Sequence, residues 1–336
     1  MKTLFNDGWV FSEYEIDYAT MFKDGKPILF TPDQFLENSK TQTYKAVNLP
    51  HDWMIYHVND LYKSSVGFYK KTFKLTEQQV VDRHNAIRFE GVYMNSGVWI
   101  NGEKAGEWKY GYATFEFDIS NLVKKGQNDI LVIVVYQDPN TRWYSGAGII
   151  RDVTYINTPK TYLISDGVYF STNPEDKEKL DGKWIVKISS EISGESDDCT
   201  ITHSIITKEG KIFAEFEKDG DEYSVESPHL WDIKDPYFYY LKTVLKDKNG
   251  NILDEICQHC GFKYAVFTSD EGFFLNGRHV KIYGACQHHD HGALGAAFDK
   301  EAQRRQFTKL KEMGINSIRC SHNPPPSAWM DLCDEM

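Results

Sequence analysis

What most constrains the fold of this chain is a change of hydrophobic grammar near residue 268. Ahead of that point the pattern is one of strands and turns; behind it, strand and helix patterns alternate. A chain that switches in this way cannot be one sandwich or one barrel. Its 336 residues leave room for about two or three domains.

Residues 1 to about 158 read as strands. From Tyr69 to Leu75 apolar and polar positions alternate, with Lys71 the one exception, much as a half-buried strand requires. Asn101-Gly102 tolerates positive φ at both positions of a tight turn and predicts a hairpin across Gly97 to Lys104. Asp129 to Tyr136 is nearly continuous Ile, Leu and Val, which predicts a strand buried on both faces. No convincing amphipathic helix interrupts this stretch, so an antiparallel sandwich or jelly roll is expected. Residues 159–267 again read as strands, with Lys183 to Ile188 as one and Asp247 to Gly250 as a turn, and predict an immunoglobulin-like sandwich. In residues 268–336 a strand at Val280 to Ala285 precedes a helix capped by Asp299 and closed by Gly314, with Ala302, Gln306, Leu310 and Met313 on one face. A strand at Ile315 to Cys320 and a helix opened by Ser327 follow. That order predicts parallel pairing and the first two units of a (β/α)8 barrel.

Composition narrows the function classes. Lys plus Arg total 38 against 49 for Asp plus Glu, a formal net charge of −11. With no basic stripe, nucleic acid is not an expected partner. No apolar run approaches the ~20 residues of a membrane span. The opening MKTLFNDGWVF has charge and Gly where a signal peptide needs an apolar core, so a cytoplasmic protein is expected. The six cysteines then read as reduced thiols. Aromatic residues make up 14%, most of them assigned to core packing and the remainder to surfaces on which sugars stack.

Two polar clusters follow the two parallel strands: Gln287-His288-His289-Asp290-His291 and Ser321-His322-Asn323. Active sites of α/β barrels lie at the C-terminal ends of the strands, so topology places His288 and His322 at one mouth. His288, Asp290, His291 and His322 are ligand types that zinc accepts, but the run is a loop without fixed helical spacing, and no metal site is assigned. Cys257-Gln258-His259-Cys260 has redox or zinc spacing but no second pair, and cysteines three apart on a strand face opposite sides; core and edge thiols are expected. The run Arg142 to Asp152 is a Gly- and aromatic-rich loop that could reach a neighbouring site. Its Asp152 either accepts hydrogen bonds from sugar hydroxyls or braces the sandwich with an Arg; both readings stand.

Several stretches together carry a family resemblance: Leu49 to Trp53, Gly67 to Phe73, Trp143 to Asp152, Pro228 to Asp232, Phe274 to Gly277, Gly284 to Asp290 and Arg319 to His322. In this order they resemble glycoside hydrolase family 2, the β-galactosidase and β-glucuronidase group. The resemblance implies a jelly-roll sugar-binding domain, an immunoglobulin-like domain and a (β/α)8 catalytic barrel. By it, His288 and His322 correspond to histidines that hydrogen-bond the sugar and favour its transition state, and Asp152 to an aspartate that contacts a sugar hydroxyl. Gln287 stands where the larger galactosidases carry Arg, Ser64 where they carry Asn, and Asn323 where many members carry an aromatic. Retaining glycosidases use two carboxyl groups ~5–5.5 Å apart. In this family both are later barrel glutamates, one preceded by Asn, and the chain contains no Asn-Glu pair. The expectation is therefore the N-terminal part of a retaining glycosidase, a β-galactosidase first, inactive alone. A β-glucuronidase or β-mannosidase, or a non-catalytic carbohydrate-binding scaffold, is the alternative. The expected partner is a carbohydrate substrate, homo-oligomerisation is left open, and no cofactor is implied, with a Mg²⁺ or Na⁺ requirement of the full enzyme undecided.

Overall fold

A computed structural model describes the chain except for Gly25, Tyr62 and residues 139–143, together with the side chains of Tyr18, Ala19 and Pro27. Arg142 and Trp143, which open the Gly-rich loop singled out in the sequence, lie outside the described residues. The chain forms two compact units. One comprises Met1–Asn157, Cys286–Gln306 and Arg319–Trp329; the other comprises Thr158–Ala285, Phe307–Ile318 and Met330–Met336. The segment after residue 268 contributes to both.

The first unit is built on a jelly-roll sandwich. One sheet runs in the order Glu103–Trp108, Ser96–Ile100, Gly126–Tyr136, Ser65–Leu75, Trp9–Glu15, Lys45–Val47. The other runs Lys2–Leu4, Val153–Pro159, Arg83–Phe89, Phe115–Asp118. Gly126–Tyr136 pairs antiparallel with Ser65–Leu75 along its whole length, and its side chains alternate between two cores. Ile130, Val132, Val134 and Tyr136 join the core with Trp9, Trp53 and Phe89. Ile133 and Val135 join a second cluster with Phe68, Trp99 and Phe35. The unbroken apolar run is thus a central strand covered on both sides, as its sequence predicts. The hairpin also forms, with Asn101 at φ 52° and Gly102 at φ 89° between paired strands. Among the described residues, only a single turn of α-helix, Glu77–Val80, and short 3-10 turns interrupt the strands of the sandwich.

The second unit contains an immunoglobulin-like sandwich. Tyr162–Pro174, Lys183–Ser193 and Gly220–Glu226 form one sheet; Ile212–Phe216, Thr200–Ile206, Tyr239–Lys246 and Ile252–Cys260 form the other. Strict alternation buries Tyr239, Leu241, Thr243 and Leu245, and the core gathers Trp184, Ile205, Leu241 and Phe262. The imidazole of His203, buried in this sandwich, is satisfied by Thr243 Oγ1 at 2.9 Å and Asp219 Oδ1 at 3.0 Å. Cys257 is exposed and Cys260 buried, both as free thiols on opposite faces of their strand.

The remaining elements are the strand Gly284–Gln287, the helix Lys300–Glu312, the strand Ser317–Cys320 and the helix Ser327–Glu335. Ser317 N donates to Tyr283 O (3.2 Å) and Ser321 N to Gln287 O (2.8 Å). The partners advance together along both strands, so the pairing is parallel. Asp299 caps the first helix by accepting from Ala302 N (2.7 Å), and Gly314 ends it at φ 87°. Two expectations are corrected. The first strand starts at Gly284 rather than Val280; Lys281 to Tyr283 lead into it with exposed side chains, and Val280 N donates to Phe273 O instead. The buried residues of the helix are Gln303 and Phe307, which the expected face omits; Ala302, Gln306 and Leu310 are half-buried, and Met313 is 75% exposed. Phe307 outweighs Met313 as the apolar anchor, and the amide of Gln303 is buried because it finds a partner. No helix among the described residues is long and apolar enough to cross a membrane.

Candidate active site

The two parallel strands bring His288 and His322 together. Their rings stand perpendicular, with centroids 5.5 Å apart; His288 is half-buried and His322 exposed. Arg319 Nη1 lies 3.0 Å from His322 Nδ1. A guanidinium can only donate, so His322 Nδ1 is the acceptor and its proton sits on Nε2. His322 therefore presents an N–H. Gln287 is tied from both ends: its Oε1 accepts from Gln303 Nε2 (3.1 Å) and its Nε2 donates to Gln306 Oε1. These bonds fix the strand end from which His288 projects.

Two buried charges of the jelly roll hold the loops that follow. The carboxylate of Asp52, 1% exposed, accepts from Met54 N (3.0 Å) and Ala147 N (2.9 Å) at Oδ1. At Oδ2 it accepts from Ala296 N (2.8 Å) and Tyr144 Oη (2.5 Å). Four donors from three segments make a buried carboxylate tolerable. Space around it is tight: a Cβ on Gly146 would lie 2.5 Å from Asp52 Oδ2, and one on Gly295, at φ 61°, would collide with Asp52 and Tyr144. Arg151, 3% exposed, donates through Nη1 to Tyr112 O (2.9 Å) and through Nη2 to Pro324 O (2.7 Å), two residues beyond His322. Tyr110 Oη donates to Asn323 Oδ1 at 2.6 Å. The side-chain amide of Asn323, beside His322, is thus held by a hydrogen bond from the jelly roll.

His289 stacks on Tyr112 (4.7 Å, 27°), and burial followed by the Arg151 charge lowers its pKa to about 4. It is a neutral packing group at ordinary pH. His291 packs edge-on against Phe298, and burial lowers its pKa as well. Among the described residues, His288, Asp290, His291 and His322 do not gather into a metal-ligand cluster. A cavity of about 10 Å³ lined by Arg151, His288, His289 and His291 has room for one water. Asp152 is not among its walls. Its Oδ1 accepts from Asn6 Nδ2 (2.8 Å), its carbonyl from Glu90 N (3.0 Å), and no described contact joins it to either histidine. Burial and the Asp152 charge raise the pKa of Glu90 beside it. Sequence reasoning passed over Asp52, Arg151 and Tyr112 as site supports. The Leu49-to-Trp53 motif was visible; that its Asp would reach Ala296, 244 positions on, was not.

Comparison with known proteins matches this arrangement. The profile "Glycosyl hydrolases family 2, sugar binding domain" matches residues 22–159, "Glycosyl hydrolases family 2" matches 164–263, and "Glycosyl hydrolases family 2, TIM barrel domain" matches 266–336. The chain is 36% identical to a β-galactosidase (BoGH2A) of Bacteroides ovatus, over 97% of this chain and 40% of the relative. It is 32% identical to a putative β-glucuronidase of Formosa agariphila, over 100% of this chain and 32% of the relative. The crystal structure of a β-glycosidase from Bacteroides vulgatus superposes with a TM-score of 0.85 at 29% identity, over 99% of this chain and 43% of that one. The chain thus spans well under half the length of these proteins. With a jelly roll, an immunoglobulin-like sandwich and two barrel units in the family's order, it belongs to glycoside hydrolase family 2.

Proposed function

We propose that this chain supplies the sugar-holding part of a retaining β-galactosidase, with His288 and His322 hydrogen-bonding ring hydroxyls and Asp152 contacting a further hydroxyl. The observation that carries the reading is the perpendicular histidine pair at adjacent parallel strand ends. One neutral imidazole offers one donor and one acceptor, which suits hydroxyls, and the Arg319 contact fixes which nitrogen of His322 donates. Such bonds raise the rate only insofar as they tighten in the transition state. The acid/base and nucleophile carboxylates, ~5–5.5 Å apart, belong to barrel strands beyond the two present here. Asp152 would have to exchange its Asn6 bond for the sugar.

A second reading, β-glucuronidase, is favoured by one feature: the exposed Arg319 guanidinium beside His322 is a cation suited to a sugar carboxylate. The test uses the polypeptide continued through a complete barrel, assayed on nitrophenyl galactoside and glucuronide. His322→Ala is expected to lower galactoside kcat/KM by about 10²–10³-fold, the loss of one oriented donor, with Tm unchanged. Faster turnover of the glucuronide transfers the assignment to the second reading. A His322→Ala enzyme as active as the parent refutes the role given to the histidine.

A further inference from the structure

We propose that His259, Asp331 and Asp334, in the second unit and outside the sugar site, form a binding site for a divalent transition-metal ion of the zinc type. One ligand atom from each lies within 4.8 Å of the others. His259 Nδ1 is 3.6 Å from Asp331 Oδ1 and 3.5 Å from Asp334 Oδ2. Those separations exceed the ~2.7–2.9 Å of a charge-assisted hydrogen bond. The nitrogen is wholly buried and makes no hydrogen bond, an expensive state for a polar atom. A shared cation accounts for both facts. Ligand bonds of ~2.0–2.2 Å at tetrahedral angles set neighbouring ligand atoms ~3.3–3.5 Å apart.

The scaffold holds the three groups in place. The imidazole is packed against Phe238 (4.1 Å between centroids) and Tyr240 (5.4 Å), so it cannot swing to meet one carboxylate alone. Asp331 and Asp334 are three apart on the helix Ser327–Glu335 and share a face. Trp231 Nε1 donates to Asp334 O at 2.9 Å and pins the end of that helix. A cavity of about 350 Å³ bounded by His259, Asp334, Trp231 and Lys263 leaves space for water in the remaining coordination positions. One imidazole and two carboxylates suit zinc, cobalt or manganese rather than calcium, which prefers an all-oxygen site.

The test is calorimetric titration of Zn²⁺ into the metal-free 336-residue chain, with Co²⁺ as a spectroscopic substitute. One saturable equivalent, a raised Tm and a visible Co²⁺ ligand-field band are expected. His259→Gln and Asp334→Asn should each weaken binding by more than about tenfold, the lower end for losing even an outer-sphere partner. His288→Gln together with His291→Gln should leave binding intact. Should His259→Gln fail to fold, Asp331→Asn, on an exposed side chain, gives the same reading. No saturable Zn²⁺ binding, or binding that survives both carboxylate variants, overturns the proposal.

Discussion

Asp52→Asn probes the device that ties the loop after His288 to the jelly roll. The amide is nearly isosteric with the carboxylate, so packing is conserved and only the hydrogen-bond pattern changes. With its oxygen at the Oδ1 position, Asn still accepts from Met54 N and Ala147 N. Its NH₂ then faces the Ala296 N–H and the Tyr144 hydroxyl. The hydroxyl can rotate and accept; the peptide N–H cannot. Flipping the amide would only exchange this clash for two, at Met54 and Ala147. One buried donor left facing another costs about 1–3 kcal/mol, and the surviving bonds lose their charge assistance, so about 3 kcal/mol in total is expected. Asp52→Ala removes all four acceptor contacts but also the cost of burying a carboxylate, so about 4–5 kcal/mol rather than a simple sum is expected. Because a two-unit chain need not unfold in one step, urea denaturation should be paired with residue-resolved hydrogen exchange. The Ala296 amide should lose protection before the strand Gly126–Tyr136 does. An Asp52→Asn chain within about 0.5 kcal/mol of the parent, the range of an ordinary surface change, would refute the reasoning.

Acid should loosen the first unit. Burial lowers the pKa of His51 to about 4, and burial with the Arg151 charge does the same for His289, against 6.5 in an unfolded chain. The unfolded state therefore binds more protons between those values. The stability is fully present above pH ~6.5 and is lost as pH falls towards 4, by at most about 3 kcal/mol per ring. Glu90, with its raised pKa, works in the opposite sense. Denaturation midpoints at pH 7 and 4.5 check this, and His51→Gln should shrink the difference; an unchanged midpoint rejects it. Two glycine substitutions separate backbone strain from collision. Gly292→Ala, at φ 61° with nothing within 4 Å, should cost about 1–2 kcal/mol. Gly295→Ala, at the same φ but aimed at Asp52 and Tyr144, should cost clearly more in the same urea assay, and equal costs would show that the pocket yields.

The sandwiches were legible because their signals are local. Alternation, the Asn101-Gly102 turn and the unbroken Asp129-to-Tyr136 run each specify structure within a dozen residues, and the structure contains them all. The His288–His322 pair was legible through topology, since parallel strands carry their C-terminal ends to the same side. The helix face was read one residue off its buried centre because Gln303 looks like a surface residue. Its burial depends on Gln287, a partner on another element, and periodicity carries no record of it. Arg151 and Asp152 differ in the same way. Adjacent in sequence, they point to opposite neighbours, Pro324 and Asn6, and no pattern within the loop distinguishes them.

The Arg151–Pro324 bond spans 173 positions, which turns a static contact into a matter of timing. The jelly roll closes when Val153–Pro159 pairs with Lys2–Leu4, so a ribosome can release it as a finished body early in translation. At ~5–20 residues per second, the carbonyl that Arg151 is to meet emerges about 9–35 s later. Throughout that interval the guanidinium lacks the Pro324 acceptor, and water must take its place. The loop bearing His322 is then received by a surface already rigid. Vectorial synthesis thus orders the two partners: the jelly roll can serve as the mould, and the strand end that carries His322 is what is cast against it.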